Sequence, residues 1–360
     1  MALVFVMAAG LWAVGALAGV PHRLRWAMIG GLWAAVVLMH LVLPAPHPMR
    51  LATGGSAAPW LMLGGAAAVV LVYREGLRRL RARANSGDEP EVSEAPPRGR
   101  FSETELERYA RHIVLRELGG PGQKALREAR VLVIGAGGLG SPALIYMAAA
   151  GVGTIGVIDD DDVENSNLQR QVIHRDADIG TPKCHSAAAA MRALNPFIAV
   201  RPYHRRLTPE IAGTLFADYD LVLDGTDNFD TRYTANTAAV ACRIPLVSGA
   251  LSQWEGQVSV FDPARGAPCY QCVFPQAPAE GLAPSCAEAG VLGPLPGIMG
   301  AMMAAEAVKV IAGAGRPLRG RMLIHDTLYG ETRIIGLSPR ADCPVCGGGA
   351  DIPQDKGEKP

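Results

Sequence analysis

The first 73 residues have almost no charge: Arg23, Arg25 and Arg50 are their only charged side chains. So long a stretch without charge excludes an ordinary solvated surface. The whole chain of 360 residues also lacks a net charge, with 34 basic residues against 34 acidic ones. This removes the basic field on which a nucleic-acid partner depends. Cysteine is missing from the apolar region, and all seven cysteines fall in the more polar part that follows. No internal repeat is present beyond the apolar runs themselves.

Three such runs stand out, 1–20, 26–43 and 58–73. A hydrocarbon core of ~30 Å needs about 20 helical residues, with about 17 as a working minimum. The first two runs reach this length, and the third needs Trp60 and Tyr73 at the interface to do so. Arg74, Arg78, Arg79, Arg81 and Arg83 follow at once. The positive-inside rule places that basic segment in the cytoplasm, and three spans then put Arg23 and Arg25 on the same side. The expectation is a multi-pass anchor in the cytoplasmic membrane, with the rest of the chain on the cytoplasmic face. A signal peptide over 1–20 is the alternative, but no basic segment precedes the run and two further runs follow it. His40 has no acidic partner in any run and reads as structural.

Composition then divides the chain into an anchor over 1–73 and a basic juxtamembrane segment with a flexible linker over 74–100. A folded domain follows over 101–347, and a disordered tail over 348–360. The folded domain opens on Ser102 with Glu105 three residues later, a capping box, and Gly119-Gly120-Pro121 is expected to end that helix. Strands are expected over 130–135, 154–161, 198–203, 220–224 and 245–248. They alternate with helices over 142–150, 182–194, 208–217 and 231–242. This rhythm predicts an α/β, Rossmann-like, doubly wound and largely parallel sheet. Segments 256–261 and 322–337 read as a C-terminal antiparallel extension. The apolar run 296–313 resembles a further membrane span, but Glu306 and Lys309 in its middle favour a buried soluble helix.

Within VLVIGAGGLGSPAL, residues 131–144, Gly135, Gly137 and Gly140 match the glycine pattern that cradles phosphates at a helix N-terminus. Asp159, 19 residues after Gly140, is placed to bind a ribose. ATP and the redox dinucleotides both carry a ribose, so Asp159 does not separate them. The next segments do. Asn167 and Arg170 sit just past that strand, and Lys183 opens the following helix. Such cations suit a departing pyrophosphate and add little to hydride transfer. Asp227, in DGTDN, is a plausible magnesium ligand. Taken singly, Arg170 and Lys183 also fit solvated surface charges, and Asp224 fits a helix cap. Their shared position at consecutive strand ends favours nucleotidyl transfer.

GAGGLGSPA, DDDVENSNLQRQ, GTPK, DGTDN, PLVSGA, EGQV and CAEAGVLGP closely resemble the ubiquitin-activating-enzyme-like superfamily. The similar branch is that of the MoeB, ThiF and HesA adenylyltransferases, over about Arg108 to Cys346. The resemblance implies ATP-dependent adenylation of the C-terminal Gly-Gly carboxylate of a ubiquitin-fold sulfur-carrier protein. It implies that Gly138 contacts ATP, that Asp159 holds the ribose, and that Asp161 and Ser166 belong to the same site. Asn167, Arg170 and Lys183 would handle the phosphates, and Asp227 would bind Mg²⁺ beside Asn228. The motif RYAR makes Arg111 an arginine delivered to the partner subunit's ATP, which implies a homodimer. No sulfurtransferase domain follows Cys346, so a separate sulfur donor is expected.

Cys269 and Cys272 form one C-x-x-C pair, and Cys343 and Cys346 another, 71 positions further on. Each pair alone fits a redox site or simple burial. Together they predict a closed structural Zn²⁺ site, which the family pattern supports. Cys286 stands outside both pairs, at a position where some relatives form a covalent link to the carrier. Cys184 and Cys242 read as small buried residues. Two other functions stay open at this level: an NAD-dependent oxidoreductase on the same glycine loop, and a membrane scaffold that binds a nucleotide without turning it over.

Overall fold

The computed structural model describes residues 1–86, 100–278 and 289–347 of the chain. The chain divides into two compact units, Met1–Glu89 and Pro90–Pro360.

In the N-terminal unit the helices are α1 (Ala2–Leu17), α2 (His22–Val42), the short α3 (Pro48–Ala52) and α4 (Ala58–Ser86). Val4, Val36, Val37 and Trp60 form a small interior. Two indoles pin the turn: Trp33 Nε1 donates to the Trp60 carbonyl at 2.8 Å and Trp60 Nε1 to the Thr53 carbonyl at 3.0 Å. His40 is buried with Nε2 2.9 Å from Thr53 Oγ1, a structural contact with no acidic partner. Leu38, Leu41 and Val42 on α2 and Val69 to Val72 on α4 face outward.

The expectation of three spans is corrected here. Among the described residues, only one helix of this unit, over Leu24–Val42, is long and apolar enough to cross a membrane. α1 has 16 residues and falls short. α4 runs without a break through the arginine segment to Ser86, so its apolar part fills only its first half. That continuation also places residues 84–86 in a helix and not in the linker.

The second unit opens with α5 (Glu103–Ile113), whose capping box is formed: Ser102 N donates to Glu105 Oε2 at 2.8 Å. Gly119-Gly120-Pro121 does not end this helix. It opens the next one, α6 (Gly119–Glu128), because proline loses no bond in a first turn where N–H groups are already unpaired. The sheet is built from β1 (Arg130–Ile134), β2 (Thr154–Ile158), β3 (Ala199–Tyr203), β4 (Leu221–Asp224), β5 (Leu246–Leu251), β6 (Glu255–Phe261), β7 (Arg321–Asp326) and β8 (Glu331–Gly336). Its eight strands run in the order β3-β2-β1-β4-β5-β6-β7-β8. β1 to β5 are parallel, and β6, β7 and β8 extend the sheet antiparallel.

Alternation along β1 explains the two layers. Val131 and Val133 face α7 (Gly140–Ala150), α8 (Lys183–Leu194) and a long helix over Pro294–Ala312. Leu132 and Ile134 face α9 (Pro209–Phe216) and α10 (Phe229–Cys242). A strand covered on both faces carries an unbroken apolar run, as VLVI in β1, IGVI in β2 and LVL in β4 show. The short helix α11 (Tyr270–Val273) precedes Pro294–Ala312, numbered α12. α12 also passes the length and composition test for a membrane span. It packs on α7, β5 and β6, and its Glu306 accepts the Leu318 N–H at 2.7 Å while pairing with Lys309. Of the two cysteines read as small buried residues, Cys184 is fully buried, whereas Cys242 is only half-buried.

Candidate active site

The sheet reverses its winding between β1 and β4, where parallel α/β sheets leave a crevice at the carboxyl ends of the strands. A cavity of about 530 Å³ occupies that crevice. Gly135, Gly137, Gly138, Asp159, Asp161, Arg170, Lys183, Asp227 and Asn228 all line it. Ile134, Ile158 and Gly225, at the ends of β1, β2 and β4, form its floor.

The glycines have distinct reasons. Gly135 sits at φ +87, a conformation that side chains rarely adopt. Gly140 does not line the cavity; a Cβ there would lie 1.8 Å from the Gly135 carbonyl oxygen. Its role is to let the helix start against the turn. Gly137 and Gly138 are left with their backbone facing the cavity, at the N-terminus of α7.

Asp159 takes one backbone N–H on each oxygen, Ala136 at 2.7 Å and Asp161 at 2.9 Å. Burial raises its pKa, and those two N–H groups and Lys183 act against the rise. Lys183 is buried, and its Nζ donates to Asp161 Oδ2 at 2.7 Å. Arg170 is aimed by its neighbours: its guanidinium donates to Asn167 Oδ1 at 3.0 Å and to the Ser166 carbonyl at 3.2 Å. Asn167 and Ser166 themselves lie off the cavity wall, so in this chain they orient Arg170. Asp227 is exposed at the cavity wall, and Asn228 caps α10 by accepting the Thr231 N–H at 2.8 Å.

Asp224 caps no helix. It is fully buried against Arg232, whose Nη1 lies 3.6 Å away. Both residues grip Thr226: Asp224 Oδ1 accepts its N–H at 3.0 Å and its hydroxyl at 2.6 Å, and Arg232 donates to its carbonyl. Thr226, the residue before Asp227, is thereby held through its N–H, its hydroxyl and its carbonyl. Arg232 lines the cavity, as do Arg205 and Arg206 beyond β3. Sequence reasoning missed all three. The signal available for Arg205 and Arg206 was their position just past a strand end, the same signal that marked Arg170.

Arg111 lies at the exposed end of α5 and does not line the cavity of its own chain. Cys286 lies outside the described residues. The other four cysteines come together: Cys269 and Cys343 sulfurs are 3.5 Å apart, Cys272 and Cys346 3.3 Å, and Cys269 and Cys272 3.8 Å. A disulfide needs about 2.05 Å, so these are not bonded pairs. Four thiolates at ~2.3 Å around one tetrahedral Zn²⁺ stand about 3.8 Å apart, which fits the donor set. Burial holds Cys269 up at about 11. Burial also acts to raise Cys343, but backbone N–H groups of Cys346 and Val345 and the adjacent thiols outweigh it and bring the group down to about 7. The cluster can hold zinc; its cysteines lie at α11 and in the segment after β8, and none of them lines the cavity, although Tyr270 of α11 does.

With this geometry in place, comparison with known proteins is informative. The chain matches the ThiF family over residues 109–345. It is 48% identical over 252 residues to the sulfur carrier protein adenylyltransferase of Thermus thermophilus, covering 69% of this chain and 93% of that enzyme. It is also 48% identical over 253 residues to the SAMP-activating enzyme E1 of Haloferax volcanii, covering 70% and 93%. Adenylyltransferase and sulfurtransferase MOCS3 of Bos taurus shares 46% identity over 275 residues, 75% of this chain and 60% of that protein. Among solved structures, that of Escherichia coli MccB superposes with a TM-score of 0.59 at 22% identity, covering 67% of this chain and 72% of MccB, a likeness of fold alone. The glycine loop, the strand-end cations and the paired cysteines thus stand in a recognised context: the chain belongs to the ThiF family.

Proposed function

We propose that this chain is an adenylyltransferase that uses ATP to activate the C-terminal Gly-Gly carboxylate of a ubiquitin-fold sulfur-carrier protein. The observation that carries this reading is the gathering of Gly137, Gly138, Asp159, Arg170, Lys183 and Asp227 in one cavity. The glycine loop and the N-terminus of α7 receive phosphate oxygens, and Asp159 receives the ribose hydroxyls. The carrier carboxylate attacks the α-phosphorus, a new O–P bond forms, and the α–β bridging bond breaks to release pyrophosphate. Arg170 and Lys183 stabilise the charge that collects on the leaving group, more strongly than they stabilise the ground state. A magnesium ion held by Asp227 would offset phosphate charge. Zinc in the four-cysteine cluster would clamp α11 to the segment after β8 and take no part in the chemistry. The oxidoreductase alternative gives no use for Arg170, Lys183 and the cluster, and it does not fit the family.

Two finer features belong to the same reading. Arg111, exposed and remote from its own cavity, serves the phosphates of the second subunit in a homodimer. The unit 1–73, with α2 outwardly apolar, anchors the enzyme to the cytoplasmic membrane, and the catalytic domain over 101–347 faces the cytoplasm. The full-length protein in detergent is expected to exchange labelled pyrophosphate into ATP only when a Gly-Gly carrier is added. Exchange without a carrier, or none with any carrier, would overturn the reading.

A further inference from the structure

The glycine loop is held on both sides of Ala136. The Ala136 N–H donates to Asp159, and its carbonyl lies 2.9 Å from His174 Nε2. The other ring nitrogen, Nδ1, is 2.8 Å from Ser186 Oγ, and Ser186 Oγ is 2.8 Å from Asp178 Oδ2. His174 and Ser186 are both buried. A hydrogen-bonded chain therefore runs from the Ala136 carbonyl through the ring and the hydroxyl to the Asp178 carboxylate, with an acceptor at each end.

Three links need three protons. A carbonyl and an ionised carboxylate bring none, the serine hydroxyl brings one, and a neutral imidazole brings one. One link would then set lone pair against lone pair. A ring protonated on both nitrogens completes the chain: Nε2–H donates to Ala136, Nδ1–H to Ser186, and the hydroxyl to Asp178.

We propose that His174 is a positioning residue for the nucleotide loop, acting in its doubly protonated form to tie the Ala136 carbonyl to Ser186 and Asp178. This rests on reading the loop as the ATP site. The charged groups that act on the ring are Lys183 from α8 and Asp178 from the 176–178 turn. Burial depresses the ring's pKa; the Ala136 carbonyl opposes it, Lys183 adds to it, and Asp178 opposes it, for a net lowering from the ordinary value. The chain is complete on the acid side of that depressed value and loses a link as pH rises through it. The charge-assisted Ser186–Asp178 bond is the strongest of the three, so a neutral ring keeps its proton on Nδ1 and the Ala136 link is the one lost. The carbonyl is left with the longer 3.2 Å donation from Ser141 Oγ, and Gly137 and Gly138 lose part of their fixed aim at the phosphates.

The test is the pH profile of ATP affinity for the full-length protein, measured for the wild type, His174→Gln and Asp178→Asn. The terminal phosphate of ATP titrates alike in all three, so differences between profiles are the readout. The wild type is expected to bind ATP about ten-fold more weakly on the alkaline side of the ring's titration than on the acid side, the scale of one buried hydrogen bond. His174→Gln removes that excess pH dependence. Asp178→Asn also removes it, and keeps tight binding to higher pH. Its amide can donate to Ser186, which turns to Nδ1 and satisfies the chain with a neutral ring, while the exposed Arg175 N–H turns to water. Thermal unfolding at each pH separates loop release from loss of fold. A His174→Gln profile that tracks the wild type, or an Asp178→Asn profile that does, overturns the inference with the adenylyltransferase reading intact. Absence of ATP binding by the wild type at every pH overturns both.

Discussion

Two helices of this chain, Leu24–Val42 within α2 and Pro294–Ala312, have 19 residues each and a mean hydropathy of 1.5. By composition they are equivalent, yet only 17% of the first window is buried, against 44% of the second. The difference lies in what surrounds them. α12 is covered by α7, β5 and β6, and its one carboxylate, Glu306, finds the Leu318 N–H and Lys309. α2 turns Leu38, Leu41 and Val42 outward, and the polar groups it turns inward include the His40 ring and the Trp33 indole. Apolar length alone therefore does not tell a core helix from a span; the supply of packing partners and polar satisfaction does.

The contrast between the two units can be broken most forcefully at the catalytic cations. Replacing Arg170 and Lys183 together by alanine is expected to lower carrier-dependent pyrophosphate exchange by about 10³-fold or more, with membrane partition of the chain unchanged. An unchanged exchange rate would remove the catalytic reading of the second unit. A smaller but still large effect is expected from zinc. Chelation, or Cys343→Ser, should lower the melting temperature of the second unit by about 10 °C or more, because a structural metal's binding energy is folding energy. A metal content of zero in protein purified without chelators would count against the site.

A change of charge in each of the two apolar helices sharpens the comparison directly. Leu38→Arg on the outward face of α2 should cost membrane insertion about 2.5–3.5 kcal/mol and leave exchange intact. Glu306→Ala in α12 removes a buried acceptor from the Leu318 N–H and should cost about 1–3 kcal/mol of folding stability. Equal behaviour of the two variants in a flotation assay would erase the distinction. The smallest effect is expected from His40→Ala. It loses one contact to Thr53 and about 1 kcal/mol within the first unit, with exchange unaffected.

Much of the site was legible in the residues because its motifs are local. Gly135 to Gly140 had to be a tight turn into a helix, Asp159 directly follows β2, and Arg170 and Lys183 lie in the segment beyond it, Lys183 opening α8. The strands themselves were legible from runs such as VLVI, since burial on both faces leaves no polar position to confuse the pattern. Arg232 was not legible. It sits among helix residues and becomes a site residue only because β4 and β5 bring Asp224 and Ser248 to it. His174 was likewise hidden, since its meaning depends on Ala136 and Ser186, one on each side of it in the chain. Gly119-Gly120-Pro121 misled because the same residues that stop one helix also start the next.

The amino-acid order by itself determined the parallel rhythm of strands and helices, the glycine turn, the two cysteine pairs and the charge-free N-terminal region. Each of these is written within a few neighbouring residues, where backbone geometry and hydrophobic periodicity act directly. Only the folded chain decided which apolar helix is enclosed, which carboxylate is paired, and which polar groups sit behind the nucleotide loop. Those outcomes depend on contacts between segments far apart in the chain, and burial there changes the energy of a charge or a proton by more than any local preference does.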